Sequence, residues 1–253
     1  MADKVLSFYE VLADYYHLIF EDWDRSIQRQ AGILGSVISQ QLPGHLTILD
    51  CACGIGTQSL GLATLGHHLL GCDLSPAEVA RATREAQQRG LDVEFLVSDM
   101  TNLKEIPEAG FDVVSVFDNA LPHLTSDELI HAVGAMATKL KPGGLFIASI
   151  RDYDSLLQEK PAMQPPSFFG NAKSRRIIHQ VWDWTEGAAY TLHLYITVEA
   201  DQGWRTHHFI SEYRAVTRQE LSNALRSVGF QEPVWLMPAK SGYYQPLVLA
   251  RCP

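Results

Sequence analysis

Between residues 46 and 150, short apolar runs alternate with segments of helical period. The apolar runs at 46–50, 68–73, 93–97, 111–117 and 145–150 predict strands, and the segments at 57–65, 76–88 and 126–140 predict helices. Ser75-Pro76-Ala77-Glu78 opens the second helix with a capping serine, a proline at the first position and a glutamate at the third. Lys141-Pro142-Gly143-Gly144 stops the third helix and turns the chain into a strand. Strictly alternating strands and helices predict an α/β fold: a parallel sheet with right-handed crossovers and helices on both faces.

The pattern changes after residue 175. Segments 176–184, 189–200 and 204–216 read as three long strands joined by tight turns around Thr185-Glu186-Gly187 and Asp201-Gln202-Gly203, which predicts an antiparallel meander. A helix at 218–228 follows, opened by Thr217 with Glu220 at capping-box spacing. Segments 232–237 and 247–251 then complete the main sheet. The chain therefore reads as one domain over 1–253, with 176–216 inserted as a lid. Residues 8–34 are rich in aromatics and acids, among them Tyr9, Tyr15, Tyr16, Phe20 and Trp23, and predict a helical flap over 1–35.

Composition narrows the function. At 253 residues and 46% hydrophobic, the chain has the material for one large core. No run approaches the roughly 18 apolar residues of a membrane span. The start, Met1-Ala2-Asp3-Lys4-Val5, lacks the pattern of a secretory signal, so a cytoplasmic location is expected. A net charge of −9 argues against a nucleic-acid partner, whose phosphates would be repelled. Cys51-x-Cys53 has no second pair at ligand spacing, so no metal is expected. A small-molecule acceptor is the expected partner, and the oligomeric state is left open.

The densest chemical signal is Ile48-Leu49-Asp50-Cys51-Ala52-Cys53-Gly54-Ile55-Gly56-Thr57, followed by Asp73 and Asp99. Two glycines let the backbone turn tightly and approach a ligand with no Cβ in the way. Each carboxylate ends an apolar run, and open α/β sheets bind ligands at the carboxyl ends of their strands. A dinucleotide fingerprint would need a third glycine where Ser59 stands. Asp50-x-x-x-Gly54-x-Gly56 instead resembles the first motif of class I S-adenosylmethionine (SAM) methyltransferases. The resemblance implies SAM as cofactor, with the Ala52–Gly56 backbone facing its methionyl part and Asp50 beneath. It further implies Asp73 on the ribose hydroxyls, Asp99 on the adenine amino group, and Leu74 and Met100 on the ring faces.

The loop Phe117-Asp118-Asn119-Ala120-Leu121-Pro122-His123-Leu124 lacks the Asn/Asp-Pro-Pro-Tyr motif of nucleic-acid amino methyltransferases. It is similar to the Asn-x-x-x-His-Leu pattern of glycine and sarcosine N-methyltransferases, which implies that Phe117, Asn119 and His123 border cofactor and acceptor. Ile150-Arg151-Asp152-Tyr153-Asp154 is similar to that group's Arg-x-Tyr-Asp segment, in which the arginine clamps the acceptor carboxylate. An arginine paired with Asp152 or Asp154 is the alternative. By the same resemblance Tyr16 and Trp23 face the cofactor from the flap. Arg29 or Arg25 meets the cofactor's carboxylate, and Tyr195, Tyr213 and Tyr243 surround the acceptor methyl. The expected activity is methyl transfer to the nitrogen of a small amine or amino acid. An O-methyltransferase, or a SAM-binding module without catalysis, is the alternative.

Overall fold

The computed structural model describes residues 2–107 and 110–253. It opens with α1 (Ala2–Leu12), a turn of 3-10 helix at Tyr16–Ile19, and α2 (Trp23–Ser39). The alternating region follows as β1 (Thr47–Cys51), α3 (Thr57–Ala63), β2 (His68–Asp73), α4 (Pro76–Arg89), β3 (Val93–Val97), β4 (Phe111–Val116), α5 (Ser126–Lys139) and β5 (Leu140–Ser149). The Pro-Gly-Gly turn is absorbed into the start of β5 as an irregularity opposite Phe111–Val113.

After α6 (Tyr153–Glu159) come β6 (Met163–Phe169), β7 (Arg176–Trp184), β8 (Ala189–Ala200) and β9 (Gly203–Arg214). The chain ends with α7 (Arg218–Ser227), β10 (Val234–Leu236), a short α8 (Pro238–Ser241) and β11 (Leu247–Arg251).

The main sheet has seven strands in the order β10-β11-β5-β4-β1-β2-β3. Pairing is parallel from β5 through β3, and β11 runs antiparallel to β5. The strand order reverses between β1 and β4, whose neighbours are reached in opposite directions along the chain. Crevices form at the carboxyl ends of strands at such a point. Both faces are covered, one by a large cluster that includes Leu49, Val114, Phe146 and Val133, the other by a cluster that includes Ile48, Val113, Ile147 and Leu34.

The meander has four strands where three were expected, in the order β6-β7-β8-β9. The extra strand carries Pro165 and Pro166, which cannot donate to a ladder. It sits at the sheet edge and shifts register between Gln164 and Ser167, where prolines are tolerated. One face of this sheet is apolar and buried, with Trp182, Tyr190, Leu192, Leu194, Phe209 and Tyr213 joined to the main core and to Phe8 and Leu12 of α1. Period-2 alternation puts Asp183, His193, Tyr195 and His208 on the other face, where they stack and hydrogen-bond among themselves.

Candidate active site

The loop after β1 is built from left-handed residues: Ala52 at φ 58°, Gly54 at 54° and Gly56 at 89°. A Cβ at Gly54 would meet a Glu78 carboxylate oxygen at 3.1 Å and the Tyr16 ring at 3.6 Å, so the glycine keeps a narrow cradle open. Asp73, at the end of β2, accepts the Gly54 N–H at 2.9 Å and the Ser75 N–H at 2.9 Å. These bonds fix the carboxylate against the loop. Burial still pushes its pKa up, because backbone donors only partly replace water.

Asp50 lies beneath the loop, accepting from Ser59 and, at 2.9 Å, from Ser115. Burial raises its pKa to about 6 against those two donors. Asp99 accepts the Thr101 N–H and hydroxyl, each at 2.8 Å. A first cavity is lined by Ala52, Gly54, Asp73, Leu74, Asp99, Met100, Phe117 and His123 among others. Its donors and acceptors run from the glycine loop past the Asp73 carboxylate to Asp99. That set, with the cradle at Gly54, suits an elongated nucleoside ligand without phosphates.

A second cavity of about 570 Å³ opens beside it, lined by Arg29, Arg151, Gln164, Gln180, Tyr213, Tyr244 and Gln245 among others. Tyr9, Tyr16 and Asp118 line both cavities. Asp118 and Asn119 occupy consecutive left-handed positions, φ 55° and 70°, a strained pair for non-glycine residues. The surroundings over-determine it. Asp118 N–H donates to Ser149 at 2.9 Å, and its carboxylate accepts from Gln58 at 2.7 Å, Tyr243 at 2.9 Å and Tyr244. Asn119 donates to the Tyr153 hydroxyl at 2.9 Å and accepts the Arg151 N–H at 3.1 Å.

Arg151 lies over the Trp182 ring, its guanidinium 4.8 Å from the centroid, and donates to the Tyr190 hydroxyl at 2.7 Å. It has no carboxylate partner among the described residues, because Arg218 takes Asp152 at 2.6 Å and Asp154 at 3.4 Å. His123 sits with Nδ1 3.1 Å from the Glu212 carbonyl and Nε2 2.9 Å from the Tyr9 hydroxyl. Burial lowers its pKa to about 4, so it is neutral near pH 7, with Nδ1–H donating and Nε2 accepting from Tyr9. Both ring nitrogens are committed. The ring ties the loop after β4 to α1 and β9.

Several expected residues lie elsewhere. Trp23 donates its indole N–H to Thr57 at 2.9 Å and packs under Arg89, lining neither cavity. Tyr195 stacks on His179 and His208 on the outer face of the meander, because it alternates with the inward Leu194 and Ile196. Asn119 supports Arg151 and Tyr153 without lining a cavity, and Gly56 is the left-handed cap of α3. Arg29 lines the second cavity and not the first; Arg25 lines neither. Tyr243 is buried against Asp118. Asp118, Gln58, Glu78 and Tyr190 were not anticipated, whereas Tyr9 was expected only as one of the flap's aromatics. Of the unanticipated residues, Asp118 stands beside the motif that carries Asn119 and His123, and Glu78 gave a signal only as a helix cap.

Comparison with known proteins is consistent with this geometry. Residues 48–144 match the family described as a methyltransferase domain. The demethylmenaquinone methyltransferase of Leptospira interrogans is 31% identical over 51% of this chain and 53% of its own. The glycine/sarcosine N-methyltransferase of Parasynechococcus marenigrum is 29% identical over 60% of this chain and 55% of its own. The chain thus spans about half the length of these curated relatives. Among solved structures, a SAM-bound amino pentose methyltransferase from Micromonospora echinaspora superposes with a TM-score of 0.73 at 22% identity, covering 90% of this chain and 92% of that one. A sugar N-methyltransferase from Streptoalloteichus sp. ATCC 53650 gives 0.76 at 20% identity, covering 93% and 92%. At those identities the likeness is one of fold. No helix among the described residues is long and apolar enough to cross a membrane.

Proposed function

We propose that this chain, which carries a class I SAM-dependent methyltransferase domain over residues 48–144, transfers the methyl group of SAM to the nitrogen of a small amine or amino acid. One arrangement carries the reading: two adjoining cavities, one with the Gly54 cradle, Asp73 and Asp99, the other with Arg151, meet at Tyr9, Tyr16 and Asp118. In this reading Asp73 accepts the ribose hydroxyls and Asp99 the adenine amino group, with Leu74 and Met100 against the ring. SAM supplies a methyl group activated by its sulfonium.

The protein's own task is then alignment and exclusion of water, since in-line displacement draws most of its rate from proximity and orientation. Arg151 offers a planar fork of donors suited to a carboxylate, and among the described residues only Tyr190 and Gln180 accept from it. Asp118, held between the cavities, is placed to accept a hydrogen bond from the acceptor's amino group. No strong base is needed for an amine that binds neutral. A hydroxyl acceptor would need one, and His123 is committed at both nitrogens. The inserted meander and the segment 1–35 would close over the acceptor as lid and flap.

The cavity's size favours a second reading of the acceptor. At about 570 Å³ it falls in the range of drug-sized ligand sites, and Gln164, Gln180 and Gln245 along its wall suit a hydroxylated body. An amino sugar would use it more fully than a two-carbon amino acid. Labelled-methyl transfer to a panel of amino acids, their decarboxylated amines, amino sugars and hydroxyl acceptors separates the readings. Product from hydroxyl acceptors alone would overturn N-methylation.

A further inference from the structure

Glu78 stands at the third position of α4, where its N–H donates to Ser75 Oγ at 3.2 Å. A glutamate there commonly folds back to the cap's backbone. This one instead turns inward. It is 1% exposed, and one carboxylate oxygen has no hydrogen-bond partner. The other lies 3.1 Å from the place a Gly54 side chain would occupy, on the wall of the first cavity.

We propose that Glu78 is a charge-selecting carboxyl of the cofactor site, favouring the cationic sulfonium cofactor over its neutral thioether product. The inference rests on the SAM reading above and adds a residue to it. A buried carboxylate without a partner is costly, and structures normally satisfy such groups. Among the described residues, no cation bears on Glu78. The titratable groups whose charges bear on it are Asp73 from β2, Glu10 and Tyr9 from α1, Tyr16 from the 3-10 turn, Tyr213 from β9 and Cys53 from the loop. Burial, followed by Asp73 and Glu10, pushes its pKa well above the usual carboxylate range, and a cation brought beside it favours the ionised form. The ligand of this cradle brings the missing positive charge to the Gly54 side. Both ligands carry the α-ammonium, but once the methyl has left, the sulfur is neutral and the attraction due to the sulfonium is gone, so the same group that favours SAM eases release of S-adenosylhomocysteine.

The test is the ratio of dissociation constants for SAM and S-adenosylhomocysteine, measured by titration calorimetry on the wild type and Glu78→Gln at two pH values flanking neutrality. The amide keeps the shape and removes the charge. The wild-type preference for SAM should grow with pH, because SAM favours the ionised carboxyl. Glu78→Gln should lower that preference by about tenfold, the smaller end of what an opposite charge does to a carboxyl equilibrium, and leave thioether affinity within about twofold. An unchanged preference in the variant, or a wild-type preference flat with pH, would overturn the inference while leaving the SAM reading standing. The wild-type pH series decides the matter even if the variant fails to fold. A wild type that binds neither ligand would overturn both.

Discussion

Asp152 gives its carboxylate to Arg218 at 2.6 Å, and not to Arg151 beside it in the chain. Asp154 lies on the same arginine at 3.4 Å. The local ion pair that would have made Arg151 a structural residue is therefore absent. Its guanidinium faces the second cavity with aromatic rings behind it, Trp182 at 4.8 Å and Tyr213 at 5.5 Å. Lysine in its place would keep the charge and lose the fork. We expect Arg151→Lys to raise the acceptor's KM about tenfold, and Arg151→Ala by more, with SAM affinity unchanged. Steady-state kinetics with a carboxylate-bearing amine and its decarboxylated analogue check this. Equal losses on both would show that the arginine does not read a carboxylate.

Much of the fold was legible because its signals are local. Asp50, Asp73 and Asp99 each close an apolar run, and the turn residues between the long strands announced the meander. β6 was not legible, since Pro165 and Pro166 argue against any strand whose edge position is unknown. Parity along β8 already separates Tyr195 from Leu194 and Ile196, but the sequence does not say which face is covered. The destination of Glu78 was hidden for another reason. The string Ser-Pro-Ala-Glu specifies a cap and says nothing of whether the carboxyl turns back or inward. Trp23 looked like a flap aromatic, and only the fold shows its N–H spent on Thr57.

His123 makes stability depend on pH. Its folded pKa, about 4, lies below the unfolded value near 6.5, so the unfolded chain binds the extra proton between these limits. The contribution of the neutral ring is full above about pH 6.5 and is lost as pH falls towards 4, by about 3 kcal/mol in all. Asp50 slopes the opposite way, since burial raises its carboxyl to about 6 and the folded state holds that proton better. The difference between wild type and His123→Asn in urea denaturation across this window isolates the histidine. A difference independent of pH would contradict a buried neutral ring.

Arg176, at the start of β7, donates to the carbonyls of Leu18 at 2.8 Å and Glu21 at 2.9 Å, and also to Phe20. It ties the meander to the segment between α1 and α2. Arg176→Ala should loosen that segment by about 1–2 kcal/mol. Hydrogen exchange at Leu18 and Phe20, whose N–H groups close the local turn, should then speed up by about 5–30-fold. Unchanged exchange there would mean that the turn holds without the arginine.

The Asp73 carboxylate, fixed against the glycine loop, is expected to hold SAM, and titration calorimetry with SAM on the wild type and Asp73→Ala tests this most directly. Removing two charge-assisted hydrogen bonds should cost roughly 2–4 kcal/mol, a loss of affinity of about 30-fold or more. Wild-type binding with that loss is the result expected. A wild type that does not bind SAM, or an Asp73→Ala variant that binds it as tightly, would contradict a cofactor role for Asp73.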